Sequence, residues 1–86
     1  MTVKYSREFN KQFAKLKPSQ QQQVTDTLEL FLDNPTHESL RNHPLAEEWA
    51  GWRSISAGGD LRLHFRMLDD DTLFFVAAGT HSQLYK

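Results

Sequence analysis

The sequence predicts an α+β domain in which an N-terminal helical hairpin packs on a small antiparallel sheet of three or four strands. Up to Pro35 the apolar residues recur at helical spacing, and beyond it the period switches to two. The polar stretches 57–60 and 68–72 then divide the second half at hairpin intervals. Helices followed by strands, without alternation of the two, is the order expected of an α+β fold.

Residues 2–5 are β-branched and aromatic and suit an edge strand. Ser6 is a good N-cap for a first helix, on which Tyr5, Phe9, Phe13 and Leu16 form the apolar stripe. Arg7, Lys11, Lys15 and Lys17 fill the rest, either as a solvated face or as a phosphate-contacting one. Pro18 ends that helix, and Ser19 is a cap candidate for a second, with Val24, Leu28, Phe31 and Leu32 buried. Asn34-Pro35 stops it. Residues 36–40 carry only a weak signal. The stretches 49–56, 60–67 and 72–79 read as strands. In the middle one, Leu61, Leu63, Phe65 and Met67 alternate with Arg62, His64 and Arg66, which predicts a half-buried strand with a cationic face. Residues 73–78 are apolar at every position, as in a strand covered on both sides. Trp49 and Trp52 are expected to brace the core.

With 86 residues the chain is expected to form a single domain over 1–86, near the lower size limit for independent folding. There is no cysteine, so neither a disulfide nor a thiolate metal site contributes. The longest apolar run is too short for a membrane span and no signal-peptide core is evident, so a soluble, cytoplasmic protein is expected. The net charge of −1 argues against a protein that merely coats nucleic acid. Any RNA contact would use a local patch.

The chemistry-bearing groups of the second half are His43, Asp60, His64, His81, Arg53, Arg62, Arg66 and Tyr85. They show no metal-ligand spacing, glycine-rich phosphate loop or serine nucleophile elbow, and no cofactor is implied. Such a set suits metal-free RNA cleavage. One group takes the proton from a 2′-hydroxyl, another protonates the 5′-oxygen leaving group, and cations stabilise the charge on phosphate. Histidine suits both proton roles because it titrates near neutrality. Residue type alone does not establish this: a histidine-bearing sheet surface has many explanations of no catalytic consequence.

The order of motifs adds to this. His43-Pro44-Leu45, then Trp49-Ala50-Gly51-Trp52-Arg53, Asp60, and finally Gly79-Thr80-His81-Ser82-Gln83-Leu84-Tyr85 resembles the YafQ branch of the RelE/ParE toxin superfamily. The likeness is specific in residues 43–60 and 79–85 and architectural before them. It implies a type II toxin that enters the 70S ribosomal A site, cuts mRNA there without metal, and is silenced by an adjacently encoded antitoxin. Carried over by position, His43, Asp60 and His81 match the family's catalytic histidines and acid, and Tyr85 its terminal aromatic. The implied roles are His81 as general acid and Asp60 with His43 on the proton-accepting side. Arg53, Arg62 and Arg66 would contact phosphate, and Tyr85 would orient a base.

One departure is Ser56, where the family often has a histidine; His64 on the next strand is the candidate to compensate, since alternation from Asp60 puts both on one face. The near-neutral charge is a second departure. Two other functions stay open: a ParE-like toxin that binds DNA gyrase, and a degenerate homologue that only binds its antitoxin.

Overall fold

The computed structural model describes residues 1–85. The elements run β1 (Thr2–Tyr5), α1 (Arg7–Lys15), α2 (Pro18–Asp33), a 3-10 turn (Glu38–Leu40), β2 (His43–Pro44) and a second 3-10 turn (Glu47–Trp49). They continue with β3 (Arg53–Ser56), β4 (Leu61–Asp69), β5 (Thr72–Thr80) and α3 (His81–Leu84). The α+β class and the helices-before-sheet layout are as the sequence predicts.

Ser6 caps α1 with its hydroxyl, which accepts from the Phe9 amide at 2.9 Å and donates to the Val76 carbonyl at 2.8 Å. One side chain therefore starts the helix and ties it to a strand 70 residues away. Ser6→Ala should cost about 1–2 kcal/mol of stability, measurable as a lower denaturant midpoint at unchanged slope. The second helix begins two residues earlier than a Ser19 cap would give, with Pro18 in its first turn and the Gln20 side chain accepting from the Lys17 amide at 3.1 Å. Proline fits there because its missing N–H would find no partner inside the helix.

The sheet has five strands in the order β1-β5-β4-β3-β2. Only β1 departs from antiparallel pairing: it runs parallel to β5, with Val3 opposite Leu73 and Tyr5 opposite Phe75. The expectation of three or four antiparallel strands is corrected on both counts. The edge strand expected over residues 2–5 is present as β1, but its parallel pairing with the far end of the chain was not expected, and the two-residue β2 is too short to read as alternation. Residues 49–56 are likewise extended only from Arg53, because Glu47 and Gly51 adopt left-handed backbone and curl the chain into a turn. The closing helix α3 was not anticipated. Its start is a capping box, with the Gln83 side chain accepting from the Thr80 amide at 2.8 Å.

Both long helices cover one sheet face. The core between them is aromatic: Phe9 and Phe31 from the helices meet Phe65 and Phe75 from β4 and β5, with ring centroids 5.0–6.1 Å apart. Leu61, Leu63 and Leu73 extend it along the strands. Met67, the last in the alternating series, lies beyond this cover and is 44% exposed. The opposite face of the sheet has no long helix over it, and it carries Ser54 and Ser56 of β3 with Arg62, His64 and Arg66 of β4.

Candidate functional site

Strand register builds the site directly. His43 on β2 lies opposite Ser54 on β3, Ser54 opposite His64 on β4, and His64 opposite Ala77 on β5. Cross-strand neighbours share a face, so these four make one row across the face away from the long helices. Arg62 lies one pleat along β4, opposite Ser56 and Gly79.

The C-terminal turn then folds back over the row. The His81 amide donates to the Asp60 carbonyl at 3.1 Å, anchoring α3 to the turn between β3 and β4. The Trp49 indole N–H donates to the Leu84 carbonyl at 3.3 Å and holds its other end. Tyr85 stacks on His81, with centroids 4.3 Å apart, and sets its hydroxyl 3.3 Å from His64 Nε2. Trp49 meets the His64 ring edge-on at 4.4 Å. His64 is thereby fully buried although no long helix covers it. Burial above all, and then the charges of His43 and His81, pull its pKa down to about 4. At neutral pH it is uncharged.

His43 is exposed at the edge strand, and its Nδ1 lies 2.7 Å from the Arg41 carbonyl. A carbonyl accepts only, so Nδ1 carries the hydrogen and Nε2 is left with a free lone pair. Arg62 is held by its Nη1, which donates to the Gly59 carbonyl at 2.9 Å and to Ser56 Oγ at 3.3 Å. Ser56 thus helps to fix a guanidinium. Arg62 also acts on Tyr85, whose hydroxyl is pushed up by burial and drawn partly back by that charge. The only ion pair among the described residues joins the Met1 amino group to Asp71, so no carboxylate neutralises Arg62. A cleft of about 290 Å³, lined by Ala46, Glu47, Glu48, Trp49 and Tyr85, opens beside this cluster.

Other named residues are placed differently. Arg53 lies opposite Phe65, on the helix-side face of β3, where its Nε donates to Asn42 at 2.8 Å. It is outside the histidine row, and its partner is Asn42 rather than an acidic residue. Arg66 shares the site face but spreads its guanidinium over Trp52 at 4.5 Å, so both sit at the margin of the cluster. Trp49 and Trp52 brace this face, not the helix side. Asp60 is exposed in the turn, joined through its backbone to His81, and no hydrogen bond among the described residues links it to His43. Ser54, buried beside His64, was not singled out; alternation with the inward-facing Ile55 is the signal that places it on this face. Among the described residues no three His, Cys, Asp or Glu side chains are grouped to hold a metal.

A family model described as the bacterial toxin of a type II toxin–antitoxin system, YafQ, matches residues 1–86. The chain belongs to the YafQ toxin family. The crystal structure of YafQ from E. coli strain BL21(DE3) superposes with a TM-score of 0.80 at 27% identity, covering 98% of this chain and 97% of that one. YafQ in the E. coli DinJ–YafQ complex gives 0.76 at 26% identity, over 98% and 97%. A YoeB/ParE toxin from Agrobacterium tumefaciens gives 0.77 at 14% identity, over 94% and 99%, and shares the fold. Comparison with curated protein sequences finds no match. The resemblance read from residues 43–60 and 79–85 therefore extends over the whole YafQ-family domain.

Proposed function

We propose that this YafQ-family toxin is a ribosome-dependent mRNA endoribonuclease. The observation that carries the reading is the convergence of His43, His81, Tyr85 and an unneutralised Arg62 around the buried His64. In the proposed reaction His43 Nε2 takes the proton of a 2′-hydroxyl, and the resulting oxygen attacks the adjacent phosphorus. The P–O5′ bond breaks, and His81 gives its proton to the departing oxygen, leaving a 2′,3′-cyclic phosphate and a 5′-hydroxyl. Arg62 stabilises the added charge on the non-bridging oxygens. Asp60 serves the acid side through its backbone carbonyl, which holds the His81 amide and so fixes the start of α3. The Trp49–Tyr85 cleft offers aromatic surface to an unstacked base. Arg53 and Arg66 act at most on the flanking backbone of the message.

Mapping mRNA ends in a translation reaction with and without ribosomes tests this. Cuts that require ribosomes are expected; cuts without them would keep the nuclease and overturn the A-site mechanism. No cuts from folded protein would favour the gyrase-binding or antitoxin-only readings. Ser56→His bears on the same point. A second imidazole beside Arg62 should raise the cleavage rate at least about tenfold, and an unchanged rate would show that Ser56 and Arg62 already form a complete arrangement.

An antitoxin partner follows from the family and is supported by the DinJ–YafQ complex. The open sheet face and the groove bordered by Tyr5, Phe9, Phe13 and Leu28 are the surfaces it would cover. Among the described residues, no helix is long and apolar enough to cross a membrane.

A further inference from the structure

Tyr85 and His64 make a contact whose direction can be worked out. The phenol oxygen is 3.3 Å from Nε2, while Nδ1 of the same ring is buried without a partner among the described residues. One ring nitrogen of a neutral imidazole carries the hydrogen and the other a lone pair. If Nδ1 held the hydrogen, a donor would be orphaned in the interior; if it holds the lone pair, only an acceptor is, and buried orphan N–H groups are the rarer case. Nε2 therefore bears the hydrogen and donates to the Tyr85 oxygen. With that side of its oxygen occupied, the phenol hydrogen must point elsewhere. Trp49 closes the ring of His64 on another side, and His81 covers Tyr85 on one of its own. Arg62 is the charge that acts on the Tyr85 hydroxyl, so the side left to the phenol hydrogen is the surface shared with Arg62.

We propose that His64 is a positioning residue that acts through Tyr85, holding the tyrosine hydroxyl as a hydrogen-bond donor to a non-bridging oxygen of the scissile phosphate. The proposal rests on the nuclease reading for its substrate and on the fold alone for the dyad. It gives His64 a different role from the proton shuttle that would substitute for a histidine at position 56. A relay through His64 would have to create an imidazolium in a site that burial and the neighbouring His43 and His81 all disfavour. Tyr85, raised by burial, keeps its hydrogen and serves as donor rather than base.

The test combines a tautomer measurement with a double-mutant cycle. Two-bond ¹H–¹⁵N spectra of the wild-type protein should show His64 neutral at pH 7 with hydrogen on Nε2; hydrogen on Nδ1 would overturn the proposal whether or not the protein cleaves RNA. In single-turnover cleavage on ribosomes, Tyr85→Phe should lose about 10²-fold and His64→Leu about tenfold or more. The double variant should be no slower than Tyr85→Phe, because nothing is left for His64 to position. His64→Gln, which retains an N–H donor, should recover part of the loss. Multiplicative losses in the double variant would overturn the role through Tyr85 and point to mere packing. Wild-type protein that shows the expected tautomer yet never cleaves would remove the nuclease reading and the phosphate contact with it.

Discussion

His81→Ala should lower ribosome-dependent cleavage by about 10²–10⁴-fold, the usual worth of a positioned general acid. His81 is exposed in the first turn of α3 and its side chain supports nothing in the core. What anchors α3 is backbone: the His81 amide to Asp60, the Leu84 carbonyl to Trp49, and the Thr80–Gln83 cap. Alanine retains all of these and is a good helix former, so stability should change by less than about 1 kcal/mol. Activity and fold are thereby separated. The measurement is mRNA cleavage on ribosomes beside a thermal melt of the same preparation. Cleavage that persists at the wild-type rate would remove His81 from the chemistry and leave the acid role without an owner.

Phe75→Ala should nearly unfold the protein. Phe75 is fully buried on β5 and lies within ring contact of Tyr5, Phe9, Phe31 and Phe65, so one side chain joins β1, both long helices and β4. Truncating a buried phenylalanine costs about 3–5 kcal/mol, from lost burial and the cavity left behind. A domain of this size holds only about 5–15 kcal/mol in all. The expected fall in melting temperature is on the order of 20 °C, given the small unfolding entropy of a chain this short. A fall of less than about 5 °C would mean that the four neighbouring rings collapse into the space. Phe74→Ala is the matched control: Phe74 is half-buried on the other face, packing on Trp52 with centroids 6.1 Å apart, and its loss should cost much less.

Much of the fold could be read locally. Ser6 ahead of the Phe9–Phe13 stripe, the stop at Asn34-Pro35, and the alternation from Leu61 to Phe65 each lie within one element, and each corresponds to the structure. Family membership was legible for a similar reason, since the motifs around His43-Pro44-Leu45 and Gly79-Thr80-His81 are short and contiguous. What could not be read locally depends on distant partners. The edge strand over residues 2–5 was legible, but its parallel pairing with β5 was not, and β2 is two residues long, below any periodic signal. α3 is a single turn whose Thr80…Gln83 box was visible but too brief to outweigh a strand reading.

The site divides in the same way. Residue types and their order determined which groups are available: the three histidines, Asp60, Arg62 and the terminal Tyr85. Tertiary structure alone decided how they are arranged. Register placed His43 and His64 in one row with Ser54 and put Arg53 on the other face. The return of α3, held by Trp49 and Asp60, sealed His64 from water and brought His81 and Tyr85 over it. A strand pattern distinguishes only two faces, and it carries no information about what later folds across the polar one. That is why His64 reads as a charged, half-exposed strand residue in the sequence and is a buried neutral imidazole in the protein.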